Sequence, residues 1–276
     1  MPLDYSASIW IALALAIISV FVRKNGVALG LLGVALVLAV LFERLTLSTG
    51  LGVGVILLGA WKLGHLAPRY ALPSALLVIV CCLALFTHHV PGFHNLLVLD
   101  KVVTGPQSQP FTMYLNLDKP LALFILLLAY PKLLGQHGIP NLRAIALTAI
   151  SLFCLLPIAV WLGALKYEFS LPTWWWLFAI NNLLFTCVAE EALFRGYLQQ
   201  QLCSKLGLVA GIGIASILFG LAHFAGGPLF VVFAALAGLG YGLIFYWSQR
   251  LWAATLAHFA FNFLHLVFFT YPIAIG

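Results

Sequence analysis

The chain has 276 residues, of which 64% are hydrophobic and only 7% are charged. Soluble domains carry about 25% charged residues, so this composition excludes a soluble globular domain and predicts a chain whose solvent is lipid. The net charge of +6 comes from lysines and arginines that lie singly between apolar segments. Because no basic run exists, nucleic acid is excluded as a partner.

Ten apolar segments follow one another along the chain, most of them near the 20 or so residues that a spanning helix needs. The predicted fold class is therefore all-α, a polytopic helical membrane protein with about 8–10 transmembrane helices. The third segment contains Lys62 and is the weakest, and the fifth is short enough to be partly interfacial. The predicted helices lie near 6–22, 26–42, 49–66, 72–88, 119–135, 142–163, 172–205, 207–225, 228–247 and 250–270.

Lysines and arginines are distributed unevenly between the two alternating sets of loops, eight against four. Because cytoplasmic loops carry the excess of positive charge, this distribution predicts a multi-pass protein of the plasma or inner membrane with its N-terminus outside. The eight residues assigned to the cytoplasmic side are Arg23, Lys24, Lys62, Arg69, Lys132, Arg143, Lys205 and Arg250.

The two halves of the chain differ in chemistry. Residues 1–140 form apolar helices of unassigned role, and a loop near 89–118 is predicted to face outward. Residues 141–276 contain the polar groups that lie deep inside helices. We therefore expect the active site inside the C-terminal helical bundle.

The densest group of charges lies in the middle of the seventh helix, where Glu190, Glu191 and Arg195 fall within six residues. A single charged side chain at the bilayer centre costs on the order of 3 kcal/mol, so such a group indicates a functional site. Glu191 and Arg195 are four residues apart and share a helix face, which predicts a structural ion pair. Glu190 points elsewhere and is the candidate general base.

Two further polar motifs lie in neighbouring helices. Phe219 and His223 end the eighth helix, and the hairpin turn near Leu206 brings His223 to nearly the height of Glu190. His258 and Asn262 share one face of the tenth helix. We predict that His223 shares a water molecule with the base and that His258 and Asn262 donate N–H groups to an oxyanion. Such a site hydrolyses peptide bonds.

The order Glu-Glu-x-x-x-Arg, Phe-x-x-x-His, His-x-x-x-Asn resembles the CAAX-protease and bacteriocin-processing (CPBP, or Abi) family of intramembrane proteases, which includes the type II CAAX prenyl endopeptidases. The resemblance covers roughly residues 141–270 and implies an endopeptidase. The positions of Glu190 and His258 along their helices place the site in the cytoplasmic part of the membrane, so we expect cleavage near that face. The resemblance also implies membrane lipid and a peptide or membrane-protein substrate as partners, with prenylated proteins among the substrates. The residues that match are Glu190, Glu191, Arg195, Phe219, His223, His258 and Asn262.

Alternatives remain for the mechanism and for the function. A metal-free, glutamate-type mechanism is preferred because Asn262 suits an oxyanion better than zinc, whereas Glu190, His223 and His258 are the alternative three-ligand zinc site. A non-catalytic membrane protein, of the bacteriocin-immunity or scaffold type, is the main functional alternative. A proton-coupled transporter is less favoured, because the chain shows no matched halves.

Overall fold

The computed structural model describes residues 5–66, 71–136 and 138–275. Each of the ten predicted segments contains a helix, which confirms an all-α polytopic membrane protein. Arg69, one of the eight cations used for orientation, lies outside the described residues. Within the described ranges, four helices are long and apolar enough to cross a membrane, and five shorter apolar helices accompany them.

The chain divides into two compact units, which are described separately. Unit 1 comprises Met1–Asp100, Met113–Leu133 and Leu184–Ala189. Unit 2 comprises Lys101–Thr112, Leu134–Leu183 and Glu190–Gly276.

Unit 1 is built from five helices, and the shortest of them forms its core. The helices are α1 Ala7–Phe21, α2 Asn25–Leu41, α3 Leu47–Leu63, α4 Ala71–Phe86 and α5 Leu121–Ala129. Helix α5 packs against α3 and α4. Residues 121–126 are each at most 2% exposed, so α5 is buried on every side. The short length of α5 therefore goes with a buried position among the helices of this unit, and a partly interfacial depth stays a prediction.

The stretch predicted as an outward loop near 89–118 contains regular structure. Strands β1, Leu96–Val102, and β2, Phe111–Leu115, pair in a two-stranded sheet. At the end of this stretch, Asp118 accepts hydrogen bonds from His88 Nδ1 at 2.6 Å and from Asn95 Nδ2 at 3.3 Å. The predicted loop therefore contains a short sheet, and its outward position stays a prediction.

Unit 2 contains the long helices of the C-terminal half. They are α6 Leu142–Phe153, α7 Leu155–Trp161, α8 Trp175–Leu206 without its residues Leu184–Ala189, α9 Leu208–Leu221, α10 Pro228–Ser248 and α11 Leu251–Phe268. Helices α8 and α9 are joined at Gly207, whose φ of +82° is a left-handed conformation that glycine adopts without a steric penalty. Helix α10 packs against α6, α9 and α11 and lies at the centre of the unit.

Helix α8 departs from regular α geometry on both sides of the charged motif. Residues Asn181–Cys187 and Ala192–Gln199 are π-helical, and the α-helical segment Val188–Glu191 lies between them. The segment Ala192–Gln199 contacts α9, α10 and α11. Because π-helical segments are frequent at functional sites, this distortion marks the region around Glu190 and Glu191.

Candidate active site

Glu191 and Arg195 form the ion pair that their spacing predicts. Arg195 Nη1 lies 3.2 Å from Glu191 Oε1, and both residues are fully buried. Arg195 Nη2 also donates to the carbonyl oxygen of Gly238 at 2.8 Å, and the guanidinium lies 4.3 Å from the centre of the Phe219 ring. The carboxylate, the carbonyl and the π face together compensate for burying the cation.

His258 joins the same carboxylate. Its Nδ1 lies 2.9 Å from Glu191 Oε1, the oxygen that also accepts from Arg195. On the other side of the ring, Nε2 lies 3.9 Å from Glu190 Oε2. Glu190, Glu191, Arg195 and His258 are each at most 8% exposed, and they are called the buried cluster below. Glu191 is thus more than the partner of Arg195, because it also holds the histidine.

Aromatic rings hold the buried cluster in place. The Tyr241 ring stacks on the His258 ring at 4.5 Å between centroids and an interplanar angle of 16°. The Phe219 ring meets His258 edge-on at 5.6 Å and Tyr241 at 5.9 Å. Phe219 was expected as a supporting residue from the sequence motif. Tyr241 was missed, since a tyrosine in an apolar helix carries no pattern of its own.

His223 lies just past the end of α9 and is half-buried. Its Nδ1 is 2.8 Å from the carbonyl oxygen of Phe219, and its ring packs on Phe219 at 4.8 Å. Since a carbonyl oxygen only accepts, Nδ1 carries the hydrogen in this contact. In the neutral ring Nε2 then has the lone pair.

Asn262 is linked to a residue that the sequence analysis did not identify. Its Nδ2 donates to Oδ1 of Asn182 at 3.2 Å. Asn262 lies one turn beyond His258 on α11, and His223 lies one turn beyond Phe219. Among the predicted residues, the structure brings Glu190, Glu191, Arg195, Phe219 and His258 together, whereas His223 contacts Phe219 and Asn262 contacts Asn182.

Two glycines of α10 allow α8 to approach closely. Arg195 donates to the Gly238 carbonyl at 2.8 Å, and one turn further on Gln199 Nε2 donates to the Gly242 carbonyl at 3.0 Å. A Cβ atom at position 238 would lie 3.0 Å from Arg195 Nη2, and one at position 242 would lie 2.7 Å from Gln199 Oε1. Gln199 was also missed, because neither its partner nor its burial can be read from spacing.

The alternative zinc site of Glu190, His223 and His258 stays a prediction. Among the described residues, no group of three or more His, Cys, Asp and Glu side chains could hold a metal ion. In the set Glu190, His223 and His258, Nδ1 of each histidine lies against a protein oxygen atom, and this arrangement leaves Nε2 as the nitrogen that could bind a ligand.

Fold and site together define an integral membrane protein with a buried carboxylate, histidine and guanidinium cluster among its C-terminal helices. The profile of the Type II CAAX prenyl endopeptidase Rce1-like family matches residues 172–264, roughly a third of the chain. This match confirms the family resemblance predicted from the motifs, and the matched segment is similar to that family. No curated protein and no solved structure matches the chain.

Proposed function

We propose that the protein is an intramembrane endopeptidase in which Glu190 and His223 activate a water molecule and His258 and Asn262 stabilise the oxyanion. The observation that carries the proposal is the buried cluster, in which His258 lies between the two carboxylates. An ion pair that served packing alone would need only Glu191 and Arg195. The second carboxylate and the histidine are costly to bury and are suited to chemistry.

Glu190 is the general base in this proposal. It takes one proton from the water, and the resulting hydroxide attacks the carbonyl carbon of the scissile peptide bond. The C–N bond then breaks, and Glu190 returns the proton to the leaving nitrogen. Nε2 of His223 accepts a hydrogen bond from the other O–H of the same water. Nε2 is free to accept because the hydrogen of the ring lies on Nδ1, which donates to the Phe219 carbonyl.

His258 and Asn262 face the charge that develops on the carbonyl oxygen. Because Nδ1 of His258 donates to Glu191, a contact from its Nε2 to an oxyanion requires a hydrogen on Nε2 as well. The resulting imidazolium balances the second carboxylate, so that Glu190 and Glu191 are offset by Arg195 and His258. Asn262 supplies a neutral N–H donor one turn away.

The metal dependence, the membrane topology, the position of cleavage and the substrate class are proposed from the sequence. We propose a metal-free mechanism, a multi-pass protein of the plasma or inner membrane with an outside N-terminus, and cleavage near the cytoplasmic face. The substrates in this proposal are peptides or membrane proteins, with prenylated proteins among them. Membrane lipid is the surrounding medium, and nucleic acid has no role.

The test is a comparison of C-terminal and membrane-protein fragments in cells that express the wild-type protein or Glu190→Gln. We expect a set of fragments that depends on Glu190, while the amount of the variant in the membrane is unchanged. Glu43→Gln is the matched control, because Glu43 is exposed in unit 1. Normal processing by Glu190→Gln would overturn the proposal and favour the non-catalytic alternative.

A further inference from the structure

Asn182 lies in the π-helical segment Asn181–Cys187 of α8, before the charged motif. Its side chain is buried, and its Oδ1 accepts a hydrogen bond from Asn262 Nδ2 at 3.2 Å. Asn262 itself is half-buried. The buried amide of Asn182 thus contacts the half-buried amide of Asn262, the residue that we propose stabilises the oxyanion.

The contact matters because it sets which end of the Asn262 amide faces the substrate. A side-chain amide has an NH₂ group at one end and an oxygen at the other, and rotation about its last side-chain bond exchanges them. Only the NH₂ end stabilises an oxyanion, since the oxygen end would repel it. Nδ2 carries two hydrogens, so one can be donated to Asn182 while the other is directed to the substrate.

We propose that Asn182 is a positioning residue that holds Asn262 with its NH₂ group toward the reacting carbonyl. This inference rests on the proposed function and adds a residue to it. Asn182 acts through Asn262 and touches no reacting atom. It therefore affects the rate of the chemical step more than the binding of substrate.

The primary variant is Asn182→Leu, which keeps a side chain of similar shape in an apolar helix and removes the acceptor oxygen. We expect kcat to fall about 10- to 100-fold, as for a misplaced catalytic group, with KM changed less than about 2-fold. Asn181→Leu is the matched control, because Asn181 is the adjacent amide and is equally buried, at 7% against 8% exposed. The kcat of Asn181→Leu should stay within about 3-fold of wild type, because the contact between Asn182 and Asn262 remains in this variant.

A double-mutant cycle separates positioning from packing. Asn262→Ala should lower kcat by about 100- to 1,000-fold, as the loss of one oxyanion donor does. If Asn182 acts through Asn262, adding Asn182→Leu to that variant should lower kcat no further. Independent losses that multiply would overturn the inference, as would equal effects of Asn181→Leu and Asn182→Leu.

Asn182→Asp provides a second measurement in case the leucine variant does not fold. It retains an oxygen that accepts from Asn262 Nδ2, so it should be faster than Asn182→Ala; equal rates would overturn the inference. The substrate in all assays is a protein whose fragments appear in cells that express the wild-type protein and are missing in cells that express Glu190→Gln. If Glu190→Gln is fully active, the proposed function itself fails. If it is inactive while Asn182→Leu behaves as wild type, only the role of Asn182 fails.

Discussion

His258 donates its Nδ1–H to Oε1 of Glu191 at 2.9 Å, across 67 residues of sequence. This bond connects two residues that the motif spacing assigned to separate tasks, structure for Glu191 and oxyanion binding for His258. The carboxylate holds the ring with Nδ1 toward Glu191 and Nε2 toward Glu190, in the way that the carboxylate of a catalytic triad orients its histidine. The carboxylate that pairs with Arg195 thus also holds the histidine that we propose binds the oxyanion.

Replacing Glu191 with Gln should destabilise the protein strongly. Arg195 is fully buried, and the substitution removes the carboxylate that neutralises it. Breaking a buried pair on one side costs about 3–5 kcal/mol. We expect a loss of this size in the free energy of unfolding, measured by denaturation in detergent micelles.

A double variant tests whether the loss comes from the uncompensated charge of Arg195, and an exposed glutamate serves as the control. Glu191→Met combined with Arg195→Met removes both charges and should recover part of the lost stability while leaving activity absent. The exposed control Glu43→Gln should change the free energy of unfolding by less than about 0.5 kcal/mol. A Glu191→Gln protein as stable as wild type would show that the pair does not neutralise a buried charge.

Gly238→Ala should disturb the site through packing alone. The new Cβ would lie 3.0 Å from Arg195 Nη2 and 3.1 Å from the Phe219 ring, closer than ordinary van der Waals contact. Overpacking of this kind costs about 1–3 kcal/mol, and here it also displaces the buried guanidinium. Thermal unfolding in micelles and the rate of fragment formation should both decrease.

Gly213→Ala is the control for that substitution. Gly213 lies in α9, and apart from its chain neighbours and the backbone of its own helix no described heavy atom lies within 4 Å of the position that its Cβ would occupy. Alanine there should be neutral or stabilising by about 0.5–1 kcal/mol, because it lowers the entropy of the unfolded chain. Equal destabilisation by the two variants would contradict the close approach at Gly238.

The helices could be predicted from the sequence because long apolar runs leave few alternatives. The strands Leu96–Val102 and Phe111–Leu115 could not be predicted from the sequence, since each is short and lies among polar and turn residues. The length of the predicted loop was a usable signal, because structureless loops longer than about 15 residues are uncommon in compact domains. The burial of α5 depends on α3 and α4, and the apolar composition of the segment does not distinguish lipid from protein neighbours.

The site shows the same division between local and long-range information. The pair of Glu191 and Arg195 follows from i,i+4 spacing within one helix. The bonds from His258 to Glu191 and from Asn262 to Asn182 join residues far apart in sequence, and helix spacing alone does not select the partner. The roles assigned to Glu190, His223, His258 and Asn262 stay predictions until variants are assayed.

His223→Asn should separate the structural role of this histidine from its chemical one. The asparagine Nδ2 occupies a position close to that of the imidazole Nδ1 and can still donate to the Phe219 carbonyl. It has no counterpart of Nε2, so activation of water is lost. We expect a folded protein whose kcat falls about 10²- to 10⁴-fold, the range for a general acid–base group.

His65→Asn is the matched control for that substitution. His65 Nδ1 contacts the carbonyl of Trp61 at 2.7 Å, the same i to i−4 geometry as His223 with Phe219, but His65 is exposed in unit 1. Activity should not change in this variant. If both asparagine variants retained full activity, the assignment of Nε2 of His223 to the water would be wrong.

Chelation should leave the protease active. A catalytic zinc site needs three protein ligands and a bound ion, whereas the proposed metal-free mechanism needs neither. The proposed chemistry instead uses the carboxylate of Glu190 and the N–H groups of His258 and Asn262. Fragment formation by purified protein should therefore be unchanged by 1,10-phenanthroline or EDTA, under conditions that inactivate a reference zinc protease. Loss of activity on chelation, with recovery on adding zinc, would overturn the metal-free mechanism and require Glu190, His223 and His258 to rearrange around the ion.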